Sequence, residues 1–266
     1  MRVAAAGLGL MTLMACAACG ASAPAPRRSP TQEEWTRARA ALAELRATEP
    51  TAPYVANVRI TLHEPRSGRD IDGRGAIAVD PERALRMQLV GPSGLTALDA
   101  WVTPNAWRFE SPHMGQLRRN GRSTVPPRGK SGAGQHLDDG QGSEARGLPI
   151  GFFRWWFLAP LEGELLTSSS AGRQLRFLLR RAHATVDLRT WMEGPLRRIV
   201  AVRSEAGQTE ELDWTGRALT PSAGDRASYV HRGSGLRVDV VVESVGGHSP
   251  DPAAFVDPGG EAGSAP

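Results

Sequence analysis

Residues 54–62 read YVANVRITL, an alternation of apolar and polar side chains. Successive side chains of a β-strand point to opposite faces, so this period of two predicts a strand with one buried and one wet face. Turn signals such as Gly91-Pro92-Ser93-Gly94 separate the early runs, with no helical period between them. About eleven closely spaced strands predict an antiparallel meander. The other runs are 71–79, 85–89, 98–102, 107–109, 175–179, 185–191, 196–202, 210–214, 227–231 and 236–242.

Two segments have helical character. Ser29 and Pro30 are a cap and a first-turn residue of a predicted N-terminal helix that ends before Pro50, with Gln32 or Glu34 returning a hydrogen bond to the cap. Its apolar stripe is Trp35, Ala38, Leu42 and Leu45. Residues 148–160, LPIGFFRWWFLAP, are too short to span a bilayer and predict a short apolar helix in the middle of the chain.

The composition predicts one folded domain with tails. Apolar residues make up 40% of the 266 positions, as in an ordinary globular protein. The 30 glycines and 20 prolines cluster in three stretches, which we expect to lie outside the packed core. The predicted organisation is a flexible tether at 16–29, one domain at 30–248 with a mobile glycine-rich loop at 120–147, and a disordered tail at 249–266.

The formal net charge of +4 does not indicate a nucleic-acid partner. Lys130 is the one lysine among 32 basic residues, and the arginines are scattered and alternate with acids. A nucleic-acid-binding surface would concentrate them in a stripe with interleaved aromatic residues.

The N-terminus is typical of an exported bacterial lipoprotein. Arg2 precedes a short apolar run, which predicts a lipoprotein signal peptide at 1–15. Leu13-Met14-Ala15-Cys16 resembles a lipobox, so Cys16 is the favoured lipidated residue and Cys19 the alternative; an ordinary signal peptide cleaved after Ala18 or Ala21 stays open. No aspartate follows either cysteine, which by the same resemblance favours the outer membrane. Both cysteines lie here, so a disulfide within the domain is excluded.

Catalytic and metal-binding patterns are missing from the sequence. The six histidines are spread out, with none paired at i, i+4 and none beside a cysteine. The sequence contains no Gly-x-Ser-x-Gly elbow. We therefore expect neither an enzyme nor a cofactor.

What the sequence offers instead is an apolar interior. An open antiparallel sheet that curls leaves a concave apolar face. Its aromatic cover can be a plug of ordinary core or a lid over a space for acyl chains, and the sequence favours neither. The candidate lining residues are Val58, Ile60, Ile77, Leu85, Met87, Leu89, Leu98, Leu175, Phe177, Leu212, Trp214, Val238 and Val240. The candidate lid residues are Trp35, Phe153, Trp155, Trp156 and Phe157.

Two segments resemble the LolA/LolB family, and within it the outer-membrane receptors, LolB. Residues 84–94, ALRMQLVGPSG, are similar to a strand that runs into an Asn-Pro-Leu-Gly type turn. Residues 147–160 are similar to a Gly-x-Pro-Ile-Pro segment followed by an Arg-x-Trp-x-x-Gly helix. In the turn, which faces the membrane in that family, Pro92 is followed by Ser93 where the family carries an exposed leucine; Leu95 lies two residues on.

The resemblance implies a mainly β, half-open antiparallel barrel with a helical lid over an apolar cavity. It further implies a lipid-anchored monomer on the periplasmic face of the outer membrane. Such a protein binds acylated lipoproteins or lipids, takes its cargo from a periplasmic LolA-like carrier, and functions in lipoprotein localisation without a cofactor. A scaffold or sensor lipoprotein of the same fold, without transfer activity, is the alternative.

Overall fold

The computed structural model describes residues 31–65, 68–81, 83–91, 94–111, 117–122, 150–158, 161–181, 183–247 and 249–257. Its helices are α1 (Gln32–Arg46), α2 (Ile150–Phe152) with a π-helical turn directly after it (Phe153–Leu158), and a 3-10 helix (Pro252–Phe255). We refer to α2 and the π-helical turn together as the central helix. The strands are β1 (Tyr54–Glu64), β2 (Arg69–Asp80), β3 (Ala84–Val90), β4 (Thr96–Val102), β5 (Ala106–Ser111), β6 (Leu117–Arg122), β7 (Glu164–Ala171), β8 (Gln174–Arg181), β9 (Ala184–Glu193), β10 (Leu196–Glu205), β11 (Gln208–Gly216), β12 (Arg226–His231) and β13 (Leu236–Gly246).

The strands form one open antiparallel sheet, as the sequence predicts. Its order is β6-β5-β4-β3-β2-β1-β13-β12-β11-β10-β9-β8-β7. Two meanders, β1 to β6 and β7 to β13, therefore meet where the first strand pairs with the last. Within the described ranges β6 and β7 do not pair with each other, so the sheet stays open. The central helix belongs to the connection between these two edges.

The described ranges contain thirteen strands, against the eleven predicted from the sequence. The two additional strands are β6 and β7, the edges of the sheet, with the sequences LRRNGR and ELLTSSSA. An edge strand pairs on one side and need not alternate apolar and polar residues. β6 also contains residues 120–122, which corrects the predicted start of the loop at 120. The rest of that loop lies outside the described residues.

The register of the strands places the apolar positions of neighbouring strands on one face of the sheet, where they form the core. Ile60 faces Gly73 of β2 on one side and Val240 of β13 on the other, and the same face continues through every neighbouring pair. Ile60 and Val240 are 2% and 3% exposed. Most apolar residues on this face join one buried cluster with α1 and the central helix. The other face carries ion pairs such as Arg86 with Asp99 and Arg176 with Asp187.

Helix α1 closes one end of this cluster. Its cap is Thr31 and not the predicted Ser29, which lies outside the described residues; Thr31 and Glu34 form a capping box. Ala38, Leu42 and Leu45 are buried as predicted. Arg46 in the last turn donates hydrogen bonds to the carbonyl oxygens of Leu161 (2.9 Å) and Gly163 (2.6 Å), which fixes the helix to the chain that follows the central helix.

The predicted disordered tail is partly ordered. Asp251 caps the 3-10 helix, and the Trp101 side chain donates from Nε1 to the carbonyl oxygen of Phe255 at 2.9 Å. Arg108 pairs with Asp257 at 3.1 Å. These contacts place residues 252–257 against β4 and β5 and leave Trp101 only 9% exposed. Residues 258–266 lie outside the described part of the chain.

Gly75 provides a test of how tightly β2 and β3 approach each other. A Cβ at this position would collide with the carbonyl oxygen of Gln88 and lie 2.8 Å from Cα of Leu89. We expect Gly75→Ala to lower the free energy of unfolding by about 2–3 kcal/mol, because backbone atoms must move. Gly247→Ala is the control, since nothing lies within 4 Å of its added Cβ. Urea denaturation measures both; equal stabilities would contradict the pairing of Gly75 with Leu89.

Candidate functional site

The concave face contains nearly all the residues predicted to line a cavity. Eleven of the thirteen are at most 5% exposed, and they lie on the same side of the sheet. Leu98 is partly buried and packs against them. Leu175 differs, because it lies near the end of β8 opposite Ser170 of the edge strand and is 36% exposed. The buried eleven are Val58, Ile60, Ile77, Leu85, Met87, Leu89, Phe177, Leu212, Trp214, Val238 and Val240.

The central helix covers this face with aromatic side chains. Phe153, Trp155, Trp156 and Phe157, all predicted lid residues, are at most 9% exposed. The rings of Trp156 and Trp214 lie 5.7 Å apart, and those of Phe153 and Phe109 lie 6.2 Å apart. The helix thus contacts both halves of the sheet, β5 and β11. In this conformation its side chains fill the concavity.

Two aromatic residues of this cover were not among the predicted site residues. Phe152 is fully buried, and its ring lies 5.1 Å from that of Tyr229 on β12. Phe152 follows Gly151 in an apolar run, where any of its aromatics could face inward. Tyr229 occupies an inward position of β12, which the alternation of that strand would have indicated.

Trp35 is the exception among the predicted lid residues. It is partly exposed and is not part of the buried cluster in the described chain. The guanidinium of Arg39 lies 5.2 Å from the centre of its ring. Trp35 belongs to the first turn of α1, and the apolar stripe reaches the core only from Ala38 onward.

The proposed membrane-facing turn is described only in part. Leu95 is 61% exposed, and the turn is closed by a hydrogen bond from Gly91 N–H to the carbonyl oxygen of Leu95 at 2.9 Å. Pro92, Ser93 and both candidate lipidation residues, Cys16 and Cys19, lie outside the described residues.

A polar cluster lies at one end of the concave face. Arg203 and Glu210 are opposite each other on β10 and β11 and pair at 2.8 Å. Tyr229 donates its hydroxyl proton to Oε1 of Glu210 at 2.8 Å, and Arg203 also pairs with Glu205. Burial and the Glu210 carboxylate raise the pKa of Tyr229 above its usual range, so the phenol stays a donor.

The central helix packs its backbone onto this cluster at Gly151. A Cβ at residue 151 would collide with the Glu210 carboxylate and lie 3.3 Å from the Tyr229 hydroxyl oxygen. Tyr229 and Arg203 hold that carboxylate in place, so it has little freedom to move away. Glycine is therefore required where the helix approaches β11.

Four buried side-chain atoms have no hydrogen-bond partner in the described part of the chain: Nε of Arg108, Nη2 of Arg154, Nε1 of Trp155 and Oγ1 of Thr190. Arg154 does donate from Nε to the carbonyl oxygen of Thr103 at 2.9 Å. Burial, together with the charge of Arg203, lowers the pKa of Arg154 to about 10. Within the described part of the chain, this partly buried guanidinium has no carboxylate partner.

The described residues provide little for other kinds of chemistry. No group of three or more His, Cys, Asp or Glu side chains comes together there as a metal site. No helix in these ranges is long and apolar enough to cross a bilayer. The outer face has an open cleft of ≈ 350 Å³ in which Arg198 already pairs with Asp213 at 2.5 Å. That cleft is consistent with a solvated charged surface.

Comparison with known proteins gives a distant structural likeness. No protein-family model and no curated protein matches the sequence. The chain is similar to a crystal structure of a LolA superfamily protein from Nitrosomonas europaea, with 12% identity over 83% of this chain and 97% of that chain and a TM-score of 0.46. It is also similar to a crystal structure of a domain described as an outer membrane lipoprotein-sorting protein from Vibrio parahaemolyticus. The identity is 12% over 82% of this chain and 97% of that chain, and the TM-score is 0.41. A third similar structure is that of a DUF1329 family protein from Desulfovibrio piger, with 8% identity over 83% of this chain and 96% of that chain and a TM-score of 0.46.

These identities and TM-scores are low. They carry no functional argument, so the function of this protein has to be inferred from its own residues.

Arg154 should reduce the stability of the protein. Its pKa is lower in the folded than in the unfolded state. Below about pH 10 the charged Arg154 therefore lowers the free energy of unfolding, and this penalty disappears as the pH rises from there toward the ordinary pKa of an arginine. At pH 7 we expect Arg154→Met to raise the free energy of unfolding by about 1 kcal/mol, after loss of the Thr103 hydrogen bond is included.

The matched control is Arg176→Met on the outer face. Arg176 has a two-point ion pair with Asp187 (2.8 and 2.6 Å), so this change should lower stability by up to about 1 kcal/mol. Thermal and urea denaturation of both variants give the comparison. A loss of stability in Arg154→Met as large as that of a buried ion pair would show that Arg154 has a counter-charge after all.

Proposed function

We propose that the protein is a lipid-anchored protein of the outer membrane that binds the acyl chains of lipoproteins or lipids on its concave face and acts in lipoprotein localisation. It binds and does not catalyse. The observation that carries the proposal is a curved sheet whose apolar face is covered by one short helix and α1 instead of a complete second layer.

The covering helix is suited to displacement. Its second part is a π-helical turn, a conformation that is rare and frequently marks functional sites. Much of its inner surface is held by apolar contacts between aromatic rings, such as those of Phe152 with Phe157 and Tyr229. An acyl chain offers the same kind of apolar surface and can replace those rings against the sheet.

Burial of an acyl chain and burial of the aromatic side chains of the central helix contribute similar free energies. Burial of a palmitoyl chain contributes about 0.8 kcal/mol per methylene, roughly 10 kcal/mol for the whole chain. Phe152, Phe153, Trp156 and Phe157 each contribute about 1.5–3 kcal/mol when buried, or roughly 6–12 kcal/mol together. Exchange between helix and acyl chain is then nearly balanced, which suits transient binding and release.

The proposal also includes a location and a partner. The lipobox at Cys16, with Cys19 as the alternative, would anchor the chain, and its lack of a following aspartate favours the outer membrane over the inner one. Acylated cargo would arrive from a periplasmic LolA-like carrier. Leu95, 61% exposed beside the turn at Gly94, is the described residue best placed to enter a membrane.

One observation favours a second candidate. The central helix packs closely onto the concave face, with Phe152 and Phe153 at most 1% exposed. A protein sealed in this way can serve as an envelope scaffold or sensor without carrying cargo. The two functions differ in whether the helix can give way to a ligand.

Phe152 distinguishes them, because helix and ligand compete for the same surface. Phe152→Ala should destabilise the protein by about 3–5 kcal/mol. It should also bind palmitate and a palmitoylated peptide at least tenfold more tightly than the unchanged chain, since less packing has to be displaced. Quenching of tryptophan fluorescence reports binding, because Trp155, Trp156 and Trp214 lie in the site.

Met192→Ala is the matched control, as Met192 is 48% exposed and should change neither property. Transfer is measured separately, by incubating the protein with a carrier loaded with acylated lipoprotein. Binding with no transfer would limit the function to lipid binding. If neither the unchanged chain nor Phe152→Ala binds acyl chains, the scaffold function is correct.

Lipid attachment is tested by metabolic labelling. In cells fed radiolabelled palmitate, we expect label on the full chain and on Cys19→Ser, and no label on Cys16→Ser, because only a thiol at the processing site is alkylated. Cell fractionation of the same strains should place the labelled protein in the outer membrane. Label on Cys16→Ser and none on Cys19→Ser would move the site to Cys19.

A further inference from the structure

Two of the four unpartnered buried atoms lie on consecutive residues of the central helix. They are Nη2 of Arg154 and Nε1 of Trp155, and both are hydrogen-bond donors. Arg108 is different, because it lies on the outer face and pairs there with Asp257. Thr190 lies on β9 and its hydroxyl can rotate to act as donor or acceptor. The central helix therefore carries two buried donors without an acceptor, on consecutive residues.

Such a pair of donors requires an explanation. Folded proteins satisfy about 90% or more of their buried polar groups. An unsatisfied buried donor costs about 1–3 kcal/mol, and more when it is charged. Two of them, on consecutive residues of a helix that covers an apolar face, point to a ligand with acceptor oxygens at this helix.

The described part of the chain supplies no hydrogen-bond acceptor to either of these atoms. Of the carboxylates near the helix, Glu210 accepts from Tyr229 and Arg203, and Glu205 pairs with Arg203. The charged group that acts on Arg154 is the guanidinium of Arg203, which lowers its pKa further.

The residues on either side of these donors in the central helix are apolar. Phe152 and Phe153 precede them, Trp156 and Phe157 follow them, and all four are buried. A partner for this site must present oxygen at one end and hydrocarbon along the rest. That is the structure of an acyl chain with its carboxylate or its ester carbonyl.

We propose that Arg154 and Trp155 form a head-group site that binds the carboxyl or ester oxygen of the bound acyl chain. This inference rests on the proposed function and deepens it, since it assigns the polar end of the ligand to a defined place on the central helix. The site distinguishes acyl chains from other hydrocarbons of equal length, and it prefers an anion to a neutral ester.

The test compares three ligands with the same chain length on the full chain, below their critical micelle concentrations. Palmitate carries an anionic carboxylate, methyl palmitate a neutral ester, and hexadecyltrimethylammonium a cation without an acceptor. We expect palmitate to bind about tenfold more tightly than the ester, and the ester more tightly than the cation.

Variants separate the donors from the packing. Arg154→Met should remove the preference for palmitate over its ester and leave ester affinity within about twofold; Arg154→Lys should keep part of the preference, because the charge remains. Trp155→Phe keeps an aromatic ring without the donor and should weaken palmitate and ester equally. Arg176→Met, on the outer face, should leave all three affinities unchanged.

The outcomes distinguish failure of the head-group site from failure of acyl-chain binding. Equal affinities of the unchanged chain for all three ligands, or a palmitate preference that survives in Arg154→Met, would overturn the head-group site and leave acyl-chain binding in place. If none of the ligands binds, acyl-chain binding itself fails. The loss of preference must occur in a folded variant, which the denaturation measurements on Arg154→Met establish independently.

Discussion

The pairing of β1 with β13 is the contact on which the rest of this structure depends. Each meander is built from neighbouring strands, but these two strands join the first and last parts of the domain; Asn57 and Ser244, which bond across them, are 187 positions apart. Loop-closure entropy opposes such a contact until both meanders supply their edges. Once formed, it aligns Val58 with Val242 and Ile60 with Val240, and the two apolar faces become one.

A continuous apolar face creates a second constraint, because it must be covered. The topology places the connection between the edge strands β6 and β7 where it can cross that face, and the central helix belongs to this connection. Its aromatic rings then reach Phe109 on one side and Tyr229 on the other. The same helix carries donors for which the described part of the chain supplies no acceptor. Under the proposed function, stability and binding oppose each other in this helix, as they commonly do at binding sites.

Much of the fold could be predicted from alternation alone. The strands that were found from sequence are those whose inward residues are buried, such as Ile77 and Leu212. The two that were missed are edge strands, and β7 has no buried residue to produce a pattern. The ordered end of the tail was missed for another reason. Its contact is with Trp101, 154 residues earlier in the chain, and nothing local in residues 252–257 indicates that partner.

The sequence by itself determined the strand-forming period, the inward face of each main strand and the apolar character of the central segment, because these are properties of consecutive residues. It left open whether the aromatic residues are a plug or a lid. Tertiary structure decided that they pack against the concave face, that Gly151 packs on the cluster of Arg203, Glu210 and Tyr229, and that Nη2 of Arg154 has no hydrogen-bond partner among the described residues. These features come from residues far apart in the chain. Their hydrogen bonds and burial exist only once the sheet has curved and the helix lies across it.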